Sequence, residues 1–174
     1  MQVPLVTEQV LPQPTVTEDV YRRVLTRCKT PRDKALIEVL WSSGLRRSEI
    51  ERMKIEHLDF VGGFIVVPTS KANRPRVVPM SPTAMRALRR LISSRADGSV
   101  FGMTGNAIRL SLTRIGAPSA HAWRRGWAVH ALRRGVSETS VKAAAGWRSG
   151  AMVSRYTTAL SGELAMDEFK RSWL

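Results

Sequence analysis

Only one cysteine, Cys28, stands in this chain of 174 residues, so no disulfide can form within it. Cys28 falls on an apolar helical pattern and reads as a small core residue rather than a nucleophile. Tyrosine is nearly as scarce, with Tyr21 and Tyr156 alone, and histidine is limited to three. Acidic residues are few: 14 Asp+Glu face 28 Lys+Arg, a net charge of +14. Such an excess speaks to partners rather than fold, and nucleic acid is the polyanion it points to. No apolar run approaches the roughly 20 residues that span a bilayer. Residues 1–14 lack the charged start and apolar stretch of a secretion signal. No His/Cys/Asp cluster has metal-ligand spacing, and no glycine-rich phosphate loop is present. A soluble protein of a reducing compartment is expected, with no membrane partner.

What is present is mostly helical patterning. Residues 1–14 carry three prolines and no helical period, and read as a linker or lead-in. Thr15-x-x-Glu18 has the form of a capping box, with an amphipathic stretch to about Cys28. Thr30-Pro31 is a second start signal, and Gly44 a stop in the left-handed conformation. A short helix is expected from Arg46 to about Lys54. The period then changes. Residues 55–60, 64–67 and 77–80 are short and rich in β-branched and aromatic side chains. They predict a small three-stranded antiparallel sheet, with Gly62-Gly63 in its first turn and Lys71 in the loop of the second. Ser81-Pro82 opens another helix, with Met85, Leu88, Leu91 and Ile92 on one face. Further helices are expected at about 105–115, 120–134, 138–145, 150–159 and 162–172.

A few residues carry chemistry. Arg46 follows a helix stop, where a guanidinium can project into a cleft and fork two phosphate oxygens. Glu49, three residues on, can orient that arginine or cap the local helix. Lys71 offers a mobile ammonium that can give a proton to a leaving oxygen. Arg74 and Arg76 follow it on the same hairpin. His121 and Arg124 are three apart and share a helix face, while Arg125 points elsewhere, toward backbone phosphate or solvent. Trp147 offers an indole N–H that cannot ionise, and Arg148 adds charge beside it. Tyr156 lies ten residues after Gly146. Its phenol, with a pKa near 10, is ionised to roughly one part in a thousand at pH 7 and needs cationic neighbours to act as a nucleophile.

Taken in order, Gly44-Leu45-Arg46-Arg47-Ser48-Glu49, Lys71, His121-Ala122-Trp123-Arg124, Gly146-Trp147 and Tyr156 resemble the tyrosine recombinase (phage integrase) family. The resemblance covers residues 15–174 and implies that family's catalytic-domain fold, that of the DNA breaking–rejoining enzymes. Arg46, Lys71, His121, Arg124 and Trp147 match its catalytic positions, and Tyr156 its nucleophile. Glu49 and Arg125 would be supporting groups, and Arg74, Arg76, Arg125 and Arg148 DNA contacts. Arg125 replaces the usual histidine or lysine, Trp123 the usual leucine, and Trp147 is the less frequent alternative to histidine. The implied activity is site-specific recombination through a 3′-phosphotyrosine, with neither ATP nor metal as cofactor. The implied partner is double-stranded DNA, bound by a tetramer on paired sites or by a monomer as an isolated domain. The implied location is the cytoplasm of a prokaryote, at the nucleoid, or of a phage's host. An N-terminal core-binding domain is usual in the family. None is expected within these 174 residues, which read as a fragment or a minimal form. Two other readings share the chemistry or the fold: a type IB topoisomerase and a DNA-binding module without activity.

Overall fold

The computed structural model describes residues 14–68 and 75–173. Most of its helices begin where a serine or threonine side chain satisfies an orphan backbone N–H group. Helix α1 (Glu18–Leu25) is capped by Thr17, whose hydroxyl accepts the Val20 N–H at 3.3 Å. The cap is thus two residues later than the Thr15 of the expected capping box. The reason is that Thr15-Val16 is already committed: the Val16 N–H donates to Ala122 O of α6. Helix α2 (Pro31–Ser43) has Thr30 as its cap, Pro31 at its first position and Gly44 at its end with φ +59°. The middle of α2 is buried without a break from Ala35 to Leu40. It is the axis against which α1, α4 (Pro82–Ile92) and α6 (Ala120–Arg133) pack.

Short helix α3 (Arg47–Glu51) follows the α2 stop. The strand expected over residues 55–60 is smaller than its composition suggests. Residues Ile55–His57 form a 3₁₀ turn, and strand β1 is Leu58–Asp59 alone. Two side chains impose this. His57 Nδ1 accepts the Lys54 N–H at 3.1 Å, and Asp59 Oδ1 accepts the N–H groups of Val61 and Gly62 at 3.0 and 2.7 Å. The aspartate turn ends the strand as soon as it begins. Strands β2 (Phe64–Val67) and β3 (Arg76–Pro79) complete a three-stranded antiparallel sheet in the order β1-β2-β3. In its register Ile65 faces Val78 and Val67 faces Arg76.

Helix α5 (Gly105–Arg114) and helix α7 (Glu138–Ala145) fall where expected. The two helices expected over 150–159 and 162–172 are one, α8 (Ala151–Ser172). Gly162 sits inside it. A glycine there costs about 1 kcal/mol, less than the burial of Leu160 on one side and the packing of Leu164 on the other return. The far end of α8 is bare: Phe169 and Trp173 are 60% and 78% exposed. No described helix is long and apolar enough to cross a membrane.

Apolar side chains gather in two clusters. The larger joins α1 to α5, the sheet and the start of α6. The smaller joins the rest of α6, from Trp127 on, to α7 and α8 and contains Tyr156. Tyr21 packs in the first, stacked on Trp41 at 4.8 Å with its hydroxyl donating to the buried Glu38 at 2.9 Å. Cys28 is half-buried against the same cluster, its Sγ toward Val24 O, and burial raises the thiol to about 11.

Candidate active site

Arg124 is the centre of the site. It lies in the second turn of α6, a helix capped by Ser119, and is 6% exposed. A buried guanidinium needs partners for its N–H groups, and this one finds them on the backbone. Nη1 donates to Gly44 O at 2.7 Å and Nη2 to Ala145 O. One carbonyl closes α2 and the other closes α7. Burial first, then repulsion from Arg46, brings Arg124 down to about 10. It stays charged at neutral pH. The Trp147 ring covers it at 5.1 Å from ring centre to Cζ.

Gly44 has little latitude. Its φ is +59°, and a Cβ there would stand 2.5 Å from the Trp127 ring. The chain therefore turns sharply from α2 into Leu45-Arg46. Glu49 reaches back to accept the Arg46 N–H at 2.8 Å, and its other oxygen meets Arg46 Nη1 at 3.1 Å. That same oxygen receives Arg76 Nη1 at 2.8 Å. Burial opposes ionisation of Glu49, but the Arg76 hydrogen bond, the Arg46 N–H and both positive charges outweigh it, and its pKa lies below the usual range.

A cleft of about 370 Å³ opens over this cluster, lined among others by Arg46, Arg124, His121, Arg47, Arg109 and Ser119. Five cationic or ionisable groups on one small cleft, with hydroxyls beside them, suit a phosphate oxygen cluster. Tyr156 is not among the lining residues. It is 1% exposed, in the smaller apolar cluster. Burial raises its phenol above the usual value, and the charges of Arg125, Arg124 and Arg155 oppose that rise. The nucleophile candidate is thus electrostatically coupled to Arg124 but held neutral and covered.

A model of the phage integrase family matches residues 14–163. This chain belongs to the phage integrase family. It is 27% identical over 138 residues to the tyrosine recombinase XerA of Pyrococcus horikoshii, covering 70% of this chain and 48% of the relative. It is 30% identical over 143 residues to the tyrosine recombinase XerC of Pelobacter propionicus, covering 72% and 47%. The chain spans about half the length of the curated relatives it matches. In fold it is similar to the Tn1549 transposon integrase in complex with a circular intermediate DNA, with a TM-score of 0.74 at 17% identity over 95% of this chain and 68% of that one.

Set on this integrase-family fold, the expected residues separate. Arg46, Glu49, His121, Arg124 and Trp147 surround one region. Lys71 and Arg74 lie outside the described residues. Arg148 is exposed on the turn between α7 and α8. Arg125 donates from Nε to Pro14 O at 2.8 Å, tying the segment that enters the domain to α6. Arg76, expected as a DNA contact, has only 14% of its side chain exposed and turns inward. Arg47 and Arg109 line the cleft without having been singled out from the sequence. Arg109 sits one turn after Asn106, whose Oδ1 accepts both its Nε and Nη2 at 3.2 and 3.0 Å. The signal for it was there: Asn106, Arg109 and Thr113 repeat at helical spacing beside the buried Ile108 and Leu112.

Proposed function

We propose that residues 15–174 are the catalytic domain of a site-specific DNA recombinase that cleaves and rejoins DNA through Tyr156. The observation that carries this is the anchoring of Arg124 by Gly44 O and Ala145 O, beside Arg46 and His121 in one cleft. A guanidinium fixed by backbone carbonyls is organised before substrate arrives, which is what stabilises developing charge in a transition state. The net charge of +14 supports a polyanionic substrate. The names of the XerA and XerC relatives, and the DNA in the transposon integrase complex, support the same substrate and reaction.

In this reading the scissile phosphate sits on Arg46 and Arg124. Tyr156 Oη forms a bond to phosphorus while the bond to the 5′ oxygen breaks. The phenolic proton passes to His121, and Lys71 gives a proton to the departing 5′ oxygen. A 5′-hydroxyl from another strand then reverses the step. Trp147 covers Arg124 and shields it from water. Arg47 and Arg109 extend the cationic lining along the backbone. Tyr156 leaves its apolar cluster to reach the phosphate, which requires α8 to shift. The bare Phe169 and Trp173 at the end of α8 suit contact with a second copy. In this reading the working form is a tetramer on paired sites, in the cytoplasm of a prokaryote or of a phage's host.

Nicked suicide duplexes from a randomised pool test the proposal, because the short 5′-hydroxyl fragment diffuses away after cleavage. Wild type forms a covalent protein–DNA adduct on a denaturing gel. Tyr156→Phe forms none but binds with similar affinity, and Arg124→Ala slows adduct formation by about two to three orders of magnitude. An adduct that survives in Tyr156→Phe would overturn the assignment of the nucleophile.

A further inference from the structure

Arg76 stands on β3, five residues after Lys71, and a hairpin arginine invites assignment to DNA. Its contacts are with the protein. Nη1 meets Glu49 Oε1 at 2.8 Å, and Nε donates to Ala144 O at 2.8 Å. Glu49 holds the backbone and guanidinium of Arg46 with the same carboxylate. Ala144 O is the neighbour of Ala145 O, which anchors Arg124. The last two carbonyls of α7 thus receive one guanidinium each. Those carbonyls have no partner within the helix and carry the negative end of its dipole, so two cations there are favourable.

The turn beyond α7 closes over the same side chain. Gly146 has φ +68°, and a Cβ there would stand 3.1 Å from Cδ, Nε and Cζ of Arg76. Trp147 follows at once, its N–H bonded to Lys142 O at 3.1 Å.

We propose that Arg76 is a positioning residue of this site and not a DNA contact: it ties the Arg46–Glu49 turn to the end of α7, and so sets Trp147 and the carbonyl seat of Arg124. The inference rests on the recombinase reading. The geometry favours it over a phosphate contact for two reasons. Reaching out would break a largely buried ion pair and leave Glu49 with one partner fewer, which is costly. And both contacts use the fixed fork of a guanidinium, which the single ammonium of a lysine cannot reproduce.

The test compares wild type with Arg76→Gln, Arg76→Lys and, from the other side of the link, Glu49→Gln. Three quantities are read: DNA affinity against salt, single-turnover cleavage of the suicide duplex, and the ¹⁹F spectrum of protein labelled with 5-fluorotryptophan, with Trp147 assigned through Trp147→Phe. In Arg76→Gln, affinity and its salt slope stay within about twofold of wild type, because no phosphate contact is lost. Cleavage falls by about tenfold to a hundredfold, the size expected when reacting groups are displaced by up to an ångström. The Trp147 resonance shifts or broadens while those of Trp41 and Trp173 do not. Arg76→Lys recovers part of the rate, and Glu49→Gln reproduces the loss even if Arg76→Gln fails to fold.

A salt slope reduced by about one, with cleavage falling only as binding falls, would make Arg76 a phosphate contact and overturn the proposal. Unchanged cleavage with an unchanged Trp147 resonance would overturn it as well. If wild type itself never cleaves, the recombinase reading fails, and the Trp147 resonance still decides whether Arg76 holds this turn.

Discussion

Each arginine of the cleft divides its donors between protein and open space, and that division sets its role. Arg124 commits Nη1 and Nη2 to carbonyls and stays buried. Arg47 and Arg109 are exposed and line the cleft. Arg47→Ala and Arg109→Ala should therefore each weaken DNA binding uniformly across sequences and lower the salt slope by about one, read from filter binding at several ionic strengths. Unchanged slopes would remove them from the DNA path. Glu49 gives a prediction in pH. Its folded pKa lies below the ordinary 4.5, so the stability it contributes is fully present above that value and is lost as pH falls through the folded one. Denaturation midpoints of Glu49→Gln should then depend less on pH on the acid side than those of wild type. Equal dependence would mean the carboxylate gains nothing from its arginines. At this scale the sequence was readable where a residue had distinctive neighbours. Arg46 and Arg124 stand in patterned surroundings. Arg47 and Arg109 are two among 28 Lys+Arg, and only the folded cleft separates them from the rest.

At the scale of elements, caps and stops were legible because they are local chemistry. Thr30, Pro31 and Gly44 bracket α2 as their side chains dictate, and Ser81-Pro82 opens α4. The misjudged ends share a cause: a tertiary contact overrode a local preference. Val16 is held by α6, so α1 starts at Thr17's command rather than Thr15's. Leu160 and Leu164 bind α8 across Gly162. Gly44 joins this scale to the site, since its conformation closes α2 and its carbonyl holds Arg124. Gly44→Ala should cost about 2–5 kcal/mol, from a left-handed alanine and a collision with Trp127, measured by urea unfolding. The loss of cleavage should exceed what the unfolded fraction explains. A variant as stable and active as wild type would refute both halves.

For the whole molecule, the division into two apolar clusters matters most. Arg124 takes one carbonyl from α2, in the larger cluster, and one from α7, in the smaller. Tyr156 belongs to the smaller. Smaller clusters open at lower free energy, so amides of α7 and the first turns of α8 should exchange hydrogen faster than those of α2, by mass spectrometry of the free protein. A single common rate would mean that α8 cannot move without global unfolding, and the route by which Tyr156 reaches a phosphate would have to be different. Fold class was visible in the chain, as were the residue patterns that single out candidates for the site. The covering of Tyr156 was not, because burial is decided by which helices meet.

The carbonyl seat of Arg124 has a consequence for how such a chain can vary over time. A carbonyl belongs to every residue type, so the two anchors themselves ask nothing of the side chains at 144 and 145, which answer only to packing: Ala145 is fully buried and Ala144 lies against the smaller cluster. The count of residues is not free. One residue gained or lost between the Ser137 cap and Gly146 would rotate the last turn of α7 by about 100° and carry both carbonyls away from their arginines. In a lineage of such proteins, substitutions at the exposed positions of α7 should be common and insertions or deletions nearly absent.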